Sequence, residues 1–468
     1  MKQCGQYPMD FAAALRRQHD FFRSGVTRPR EFRLAQLRKL EGAIESNERL
    51  LSTALHDDLR KSAYQAYATE IGPSLSELRY VLRHLPRWMT PRRVRVPLIA
   101  WPAHGHVRAE PYGVACILGP WNYPVQLLFS PLVGAMAAGN CVVLKPSELA
   151  PHTGAAIARL IGSAFPEEYL AVVQGGQDVA EALLREKFDS IFFTGSTGVG
   201  RAVMAAAARH LTPVTLELGG KCPCVVCADA PLETTARRIV WGKFMNAGQT
   251  CVAPDFVLAD QAIAPALAQA FKQAIRELYG DDPQSSPEYG RIINRGHLDR
   301  LRGYLSKAQI AAGGQSDAAD LYLAPTIVTG VTPDTPIMQE EIFGPILPVL
   351  EFATLDEALA LLRDRPIPLA LYLFTGDRPT QERVLREARS GGVCLNDTVM
   401  HMVGQGLPFG GLGASGLGAY HGKASFDCFS HRRPVMRRSF AFDSKLRYPP
   451  PRISLATLKR AYRFLLGG

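Results

Sequence analysis

The chain has 468 residues, 47% hydrophobic and 21% charged, which is typical of a globular protein with two or three domains. Of its formal net charge of +10, most falls after residue 430, where ten Lys or Arg accompany one acid. The nearly neutral body excludes a broad nucleic-acid-binding face. No apolar run approaches the ~20 residues that span a bilayer. The first residues lack a secretory signal, so we expect a cytoplasmic protein.

The first ninety residues predict helices, because Leu37, Leu40 and Ile44 recur at the spacing of one helical face. Residues 94–112 then alternate as strands do, and the prolines among them predict edge or linker strands.

From residue 113 onward, short apolar strands alternate with helical stretches. The predicted strands are residues 114–118, 141–144, 170–173 and 191–194. This alternation predicts a parallel sheet covered on both faces. It resumes after Lys221, where we expect a second α/β domain to begin. The glycine-rich residues 404–418 predict an ordered loop.

Nine cysteines do not form a disulfide framework. Cys222, Cys224 and Cys227 follow a C-x-C-x-x-C pattern, but no second cluster completes a tetrahedral metal site. We therefore expect no metal and favour a buried strand at residues 224–227, in which cysteine packs as a small hydrophobic residue.

A glycine turn at residues 195–200 joins a predicted strand to a predicted helix. The free N–H groups and the dipole of a helix N-terminus suit a pyrophosphate. Thr197 replaces the second glycine of the dinucleotide fingerprint, so a purely structural turn is the alternative. Lys145 and Glu148 follow another strand and could bind a ribose; their alternative is a solvated helix start.

Three further residues are candidates for catalysis. Cys251 is a candidate nucleophile, although most cysteines only pack in cores. Glu217 closes an apolar strand, where a carboxylate is costly unless it has a partner or a purpose. Asn122 lies between Pro120 and Pro124 and could donate to an oxyanion, or could simply serve a turn.

In their order along residues 110–420, these motifs resemble the aldehyde dehydrogenase superfamily. The resemblance rests on residues 120–124, 145–148, 193–200, 217–221, 248–251, 341–345 and 408–411. Residues 58–62, 69–71, 253–255 and 429–434 further resemble its class 3 branch.

The resemblance implies an α/β fold and a homodimer. Residues 1–218 would form a Rossmann-like cofactor domain, with bridging strands around 94–112, and residues 219–397 a second α/β domain, which is catalytic. Residues 398–440 would return to the cofactor domain and complete a small β oligomerisation or bridging element. Residues 441–468 would be a basic tail.

The resemblance also implies roles for single residues. Cys251 would be the nucleophile and Glu217 the general base, while Asn122 and the Cys251 backbone N–H would hold the oxyanion. The residues implied in binding NAD or NADP are Lys145, Glu148, Gly195, Ser196, Gly200, Glu341 and Phe343. The implied reaction oxidises a medium- or long-chain aliphatic or an aromatic aldehyde to the acid, through a thiohemiacetal and a thioester.

Three questions stay open at this stage. The acyl acceptor could be coenzyme A instead of water, although Glu217 favours water, and a non-enzymatic protein on the same fold is a more distant alternative. Glu148 would repel a 2′-phosphate and favours NAD. Residues 453–468 predict a short basic amphipathic helix, which would dock on the body or a partner subunit or lie on the inner face of a membrane.

Overall fold

A computed structural model describes residues 10–97 and 100–465. The first described residues form a layer of helices, as predicted. These are α1 (Phe11–Arg23), α2 (Arg30–Ser46), α3 (Glu48–Leu59), α4 (Ala63–Ala66) and α5 (Gly72–Trp88), with a π-helical turn (Tyr67–Ile71) between α4 and α5. Leu37, Leu40 and Ile44 are fully buried on α2, which confirms that their spacing marks the inner face of a helix.

The next part of the chain builds a parallel sheet covered by helices. Two strands of a separate small sheet come first, β1 (Arg92–Val94) and β2 (Ala103–Pro111). The elements of the parallel sheet and its helices are β3 (Val114–Leu118), α6 (Gln126–Ala138), β4 (Cys141–Lys145), α7 (Pro151–Ala164), β5 (Leu170–Val172), α8 (Gln177–Arg185), β6 (Ser190–Thr194), α9 (Thr197–Ala208) and β7 (Val214–Glu217). All four strands predicted here are confirmed to within one residue at each end. Helix α6 packs against α2 and α5, so the N-terminal layer covers one face of this sheet.

The parallel strands lie side by side in the order β5-β4-β3-β6-β7. From β3 the chain adds β4 and β5 on one side, and then crosses back to add β6 and β7 on the other side. The strand order therefore reverses between β3 and β6. In open α/β sheets, ligands bind beyond the carboxyl ends of the strands at such a switch point. The loops after β3 and β6 flank this point, and each carries candidate site residues.

A second α/β unit follows, as expected. Its elements are β8 (Pro223–Val226), α10 (Leu232–Phe244), β9 (Phe256–Asp260), α11 (Ala264–Tyr279), α12 (Arg295–Leu305), β10 (Gln309–Ala312), β11 (Ser316–Asp317), β12 (Tyr322–Leu323), β13 (Thr326–Thr329), β14 (Ile346–Phe352), α13 (Leu355–Arg363), β15 (Ala370–Phe374), α14 (Arg378–Glu387) and β16 (Gly392–Leu395). Seven strands form one sheet in the order β10-β13-β14-β9-β8-β15-β16, parallel except for β10. Single 3₁₀ turns lie at Met245–Gly248, Pro336–Met338, Met400–Met402 and Lys445–Arg447.

The chain then returns to the first unit through β17 (Gly416–Leu417), α15 (Lys423–Cys428) and β18 (Ser430–Arg438), and α16 (Leu455–Leu465) follows. Strand β17 pairs with β7, so the segment predicted as a loop contains a short strand. Strand β18 pairs with β2, which places β2 in the centre of the sheet β1-β2-β18. The prediction of edge or linker strands is therefore wrong for β2. Pro102 precedes β2 and Pro111 ends it, so neither proline removes a hydrogen bond from the middle of the ladder.

The cysteine cluster lies in the core of the second unit. Cys222 and Cys224 are fully buried beside and on β8, which confirms a buried strand, one residue earlier than predicted. Among the residues that the structure describes, no group of three or more His, Cys, Asp or Glu side chains is arranged to hold a metal ion.

The C-terminal helix α16 exposes its apolar residues. Leu455, Leu458 and Tyr462 are 66%, 39% and 48% exposed. These values argue against docking on the body of the same chain and leave a partner subunit or a membrane surface as alternatives. Within residues 10–97 and 100–465, no helix is long and apolar enough to cross a membrane.

Candidate active site

A cavity of about 1410 Å³ lies at the carboxyl ends of the parallel strands of the first sheet and reaches the second unit. Nine of the ten site residues expected from the sequence border it. They are Asn122, Lys145, Glu148, Gly195, Ser196, Glu217, Cys251, Glu341 and Phe343. The tenth, Gly200, lies one turn into α9, where an added Cβ would stand 2.6 Å from Leu218 Cδ2. Gly200 therefore allows α9 to pack closely against Leu218, the residue that follows β7.

The glycine turn after β6 leads directly into α9, whose first backbone N–H groups have no partner in the preceding turn. Ser196 caps the helix by accepting a 3.4 Å hydrogen bond from the N–H of Val199. Thr197, which replaces a fingerprint glycine, donates through its hydroxyl to the Ala414 carbonyl at 3.0 Å. The threonine thus ties the turn to the returning segment and leaves the helix N-terminus beside the cavity.

Lys145 and Glu148 form an ion pair at one end of the cavity. Lys145 is 4% exposed, and its Nζ lies 2.7 Å from Glu148 Oε2. Partial burial raises the pKa of Glu148, but the hydrogen bond from Lys145, a backbone hydrogen bond and the charge of Lys145 together outweigh it, and the net pKa lies below the usual value of 4.5. A carboxylate with free acceptor capacity therefore stands beside a nearly buried ammonium donor, a pair suited to the hydroxyls of a sugar.

The loop that leads to Cys251 is held in a costly backbone conformation. Asn246, Ala247 and Gly248 have φ values of 54°, 52° and 74°. For Asn and Ala this left-handed region costs of order 1–3 kcal/mol and persists only where the surroundings impose it. Gly248 cannot be replaced without displacement of backbone, because an added Cβ would lie 2.2 Å from the Gly344 carbonyl oxygen.

Gln249 supplies much of that constraint. Its fully buried side chain donates to the carbonyls of Asn246 at 3.0 Å and Arg291 at 2.9 Å, and accepts from the Ile293 N–H at 2.9 Å. Such a satisfied buried network fixes one geometry. The nucleophile loop is therefore preorganised by contacts with residues 291–293.

Asn122 is joined to the same loop. Its side-chain Nδ2 donates to the Gln249 carbonyl at 3.1 Å, and its own backbone carbonyl accepts from Asn246 Nδ2 at 2.9 Å. A primary amide has two N–H donors, so one remains for a ligand. Next to it, the hydroxyls of Tyr123 and Thr250 lie 2.7 Å apart. Asn122 is thus hydrogen-bonded to Gln249, which lies two residues before Cys251 in the same loop.

The acid–base groups of the site are shifted in a consistent direction. Burial, reinforced by the charges of Glu341 and Glu217, raises the pKa of the Cys251 thiol to about 12. Burial raises the pKa of Glu217 well above 4.5. Glu217 is 2% exposed, and neither of its carboxylate oxygens has a hydrogen-bond partner in the described part of the chain. A carboxylate with a raised pKa is a stronger base, and this one has both oxygens free to accept a proton.

Glu341 also borders the cavity. Burial and the charge of Asp255 raise its pKa to about 8, and its Oε1 has no partner among the described residues. An added Cβ on Gly219 would meet the Glu341 carboxylate at 2.0 Å, so glycine is required for this approach. Phe343 lies beside it, with its ring 5.2 Å from that of Trp121.

An ion network beside Glu341 was not predicted from the sequence. Lys221 Nζ lies 2.6 Å from Asp255 Oδ2 and donates to the Glu340 carbonyl at 2.7 Å, while Asp255 accepts from the Ile342 N–H at 3.1 Å. These contacts clamp the residues on both sides of Glu341. The sequence does show Lys221 at the end of the motif at residues 217–221 and Asp255 at the end of the motif at residues 253–255. It does not show that these two side chains meet.

An apolar surface lies outside the residues that border the cavity. Trp241, Met400, Val403 and Leu407 are 38%, 45%, 60% and 56% exposed. Their segments are in contact. The Thr398 hydroxyl donates to the Arg238 carbonyl on α10 at 2.6 Å, and Gln405 bonds to Ser76 on α5 at 2.6 Å.

Tyr372 connects this surface to the nucleophile loop. Its hydroxyl donates to the Val252 carbonyl at 2.5 Å, and its ring lies 5.9 Å from that of His401. The segment that carries Met400 and Val403 therefore lies close to the residue that follows Cys251.

Comparisons with known proteins agree with this geometry. A profile described as the aldehyde dehydrogenase family matches residues 6–435. The chain is similar to aldehyde dehydrogenase family 3 member B1 of Homo sapiens, with 49% identity over 438 residues, which are 93% of this chain and 94% of that protein.

Two solved structures are similar over nearly the whole chain. The substrate-bound state of Staphylococcus aureus AldH matches with a TM-score of 0.95 and 44% identity, over 96% of this chain and 99% of that one. A structure of indole-3-acetaldehyde dehydrogenase in complex with NAD+ matches with a TM-score of 0.84 and 29% identity, over 92% of this chain and 89% of that one.

Proposed function

The chain belongs to the aldehyde dehydrogenase family and to its class 3 branch, and on that premise we propose that Cys251, Glu217 and Asn122 carry out its chemistry. The protein is an NAD(P)-dependent enzyme that oxidises aldehydes to carboxylic acids. The observation that carries the proposal is the convergence at one cavity of a thiol, an amide donor and a carboxylate that has no hydrogen-bond partner within residues 10–97 and 100–465.

Cys251 is proposed as the nucleophile. With a pKa near 12 the thiol is protonated at neutral pH, so attack on the aldehyde requires a base to take its proton. Glu217 is near enough to raise that pKa by its charge and has free oxygens. Addition of the sulfur to the carbonyl carbon gives a thiohemiacetal, whose oxygen carries the developing negative charge.

Asn122 is proposed to stabilise that charge, together with the backbone N–H of Cys251. The amide is 3% exposed and is anchored through one N–H, so its second N–H needs little reorganisation to bind an oxyanion. A donor held in this way contributes about 10²–10³ in rate in other enzymes.

Glu217 is proposed to complete the reaction. After oxidation the adduct on Cys251 is a thioester, and water must attack it to release the acid. A carboxylate with a raised pKa and unpartnered oxygens can take the proton of that water. A thiol acceptor such as coenzyme A needs no such base, which is why we favour water.

The residues around the cavity fit NAD or NADP, which supplies the hydride acceptor when bound. Lys145 and Glu148 would hold the adenosine ribose, and the N-terminus of α9, with Gly195 and Ser196, would hold the pyrophosphate. Gly200 would act indirectly, through the close packing of α9. Glu341, whose buried Oε1 has no partner among the residues that the structure describes, would accept from the nicotinamide ribose with Phe343 packed beside it. The charge of Glu148 disfavours a 2′-phosphate, so we propose a preference for NAD.

The substrate is proposed to be an apolar aldehyde, either a medium- or long-chain aliphatic aldehyde or an aromatic one. In this proposal the cofactor fills the cavity, so the aldehyde needs another approach to Cys251. The exposed Trp241, Met400, Val403 and Leu407 would bury apolar surface against such a substrate.

We also propose that residues 1–218 and 219–397 are the cofactor and catalytic domains, and that two copies form a dimer. Strand β16 ends one side of the seven-stranded sheet and β18 one side of the small sheet, so each has an edge available for pairing. The apolar face of α16 would pack on the partner subunit; a peripheral contact of this basic tail with an anionic membrane is the alternative.

Replacement of Cys251 tests the central assignment. Cys251→Ala should abolish aldehyde-dependent NADH formation while binding of NAD+ persists, and Cys394→Ala, a half-buried cysteine on β16, should remain active. Substantial turnover by Cys251→Ala would remove the basis of the scheme.

A further inference from the structure

We propose that Lys61 and Glu70 are positioning residues for the reaction, because together they hold Asn122 where it meets the oxyanion. This inference rests on the proposed role of Asn122. Both side chains belong to the N-terminal helical layer, and neither borders the cavity. They are nevertheless 1% and 0% exposed, and they form an ion pair with each other.

Glu70 fixes the far end of the loop that carries Asn122. Its Oε2 accepts from the N–H of Val125 at 3.0 Å and of Gln126 at 2.9 Å, where α6 begins. Helix α6 has no side-chain cap from its own N-cap residue, so Glu70 supplies the cap from the π-helical turn. An anionic group at a helix N-terminus also interacts favourably with the helix dipole.

Lys61 fixes the near end of the same loop. Its Nζ donates to the backbone carbonyl of Asn122 at 3.1 Å and lies 4.1 Å from the centre of the Tyr123 ring. The same carbonyl accepts from Asn246 Nδ2 at 2.9 Å. One oxygen atom thus joins the ion pair, the oxyanion loop and the strained loop before Cys251.

Burial of two charges costs desolvation free energy, and replacement of a buried ion pair by uncharged side chains of similar volume often leaves the stability of the fold unchanged or higher. Capping of α6 would need Glu70 alone. The donation from Lys61 adds nothing to this cap. Together with Asn246 Nδ2, Lys61 binds the backbone carbonyl of Asn122, the same residue whose side-chain amide is proposed to bind the oxyanion. We therefore assign the pair to the geometry of Asn122.

A double-mutant cycle tests this assignment. The neutral pair Lys61→Met with Glu70→Gln keeps side-chain volume and an acceptor for α6 but removes the donation to Asn122. It should lower kcat about 10-fold or more with the KM for NAD+ unchanged, as small misplacements of catalytic groups do. In an Asn122→Ala background the same two changes should alter kcat less than about two-fold.

Equal losses in the two backgrounds, or no loss in either, would overturn the positioning role. If Asn122→Ala alone leaves kcat unchanged, the proposed oxyanion role fails, and this inference fails with it. The neutral pair Arg79→Met with Glu41→Gln replaces an exposed ion pair in the same helical layer and should leave kcat unchanged.

If the neutral pair lowers the folded fraction, a second measurement separates folding from positioning. Attack of the Cys251 thiol on an activated ester such as p-nitrophenyl acetate needs no cofactor, and in this proposal it also forms an oxyanion beside Asn122. The rate of this hydrolysis, expressed per folded enzyme, should be lower in the neutral pair than in wild type, and an unchanged rate would contradict the inference.

Discussion

The side-chain amide of Asn122 donates a 3.1 Å hydrogen bond to the carbonyl oxygen of Gln249, two residues before Cys251. The donor proposed for the oxyanion and the proposed nucleophile are therefore fixed relative to each other by one contact across 127 residues of sequence. Asn122→Ala should lower kcat about 10²–10³-fold in steady-state assays, because the remaining N–H is lost. Asn122→Asp, which keeps the size but adds negative charge, should be at least as slow. A rate within two-fold of wild type in Asn122→Ala would exclude the oxyanion role.

Glu217 should control the second half of the reaction. Its carboxylate has no hydrogen-bond partner in the described ranges, and burial raises its pKa. Only the deprotonated carboxylate can act as the base, so a higher pH is needed to form it. Rising pH converts it to the carboxylate, and the rate of thioester hydrolysis should therefore rise with pH through a value well above 4.5. Stopped-flow measurement of acid release from pre-formed acyl-enzyme checks this. The pH-dependent limb should vanish in Glu217→Gln; its persistence there would assign the base elsewhere.

Glu341 provides a contrast, since it is the other glutamate at the cavity whose pKa is raised. Glu341→Gln should slow hydride transfer and weaken cofactor binding, with thioester hydrolysis unchanged. The measurement is single-turnover NADH formation at saturating aldehyde. Equal effects of Glu217→Gln and Glu341→Gln on hydrolysis would contradict the separate roles.

The same residue should make stability depend on pH. The pKa of Glu341 is raised from 4.5 to about 8, so the folded state binds its proton more tightly than the unfolded state. Its contribution to stability is thus present below pH 4.5 and is lost as pH rises towards about 8. Between these limits the melting temperature of Glu341→Gln should fall less with rising pH than that of wild type, and a steeper fall would contradict the sign.

Glu148 should determine the preference between cofactors. Glu148→Gln removes the charge that would face a 2′-phosphate, so kcat/KM for NADP+ should rise about ten-fold relative to that for NAD+. Glu181→Gln, which borders the same cavity, is the matched control and should leave the ratio unchanged. A ratio that does not move in Glu148→Gln would place the adenosine ribose elsewhere.

Much of this fold follows from local patterns. The helical spacing of Leu37, Leu40 and Ile44, and the apolar runs that became β3 to β6, are set by which face of each element is buried. The central place of β2 could not be predicted, because its second neighbour is β18, more than 300 residues later.

The same limit applies to the site. Cys251, Glu217 and Asn122 stood out because each is a chemically costly or reactive residue in a glycine- or proline-marked segment. Lys61 and Glu70 carried only a family likeness, since their significance depends on meeting residues 122–126 in space. Periodicity and spacing do not report such long-range contacts.

The acyl-enzyme itself tests the central claim most directly. Glu217→Gln enzyme mixed with NAD+ and an aliphatic aldehyde such as octanal should form NADH in a burst equal to the enzyme concentration, followed by much slower turnover, because loss of this base slows thioester hydrolysis more than acylation. Intact-mass and peptide-mass spectrometry of the quenched mixture should then show the acyl group on Cys251 at the same stoichiometry. A burst with no covalent adduct, or with the acyl group on another cysteine such as Cys222, would contradict the account.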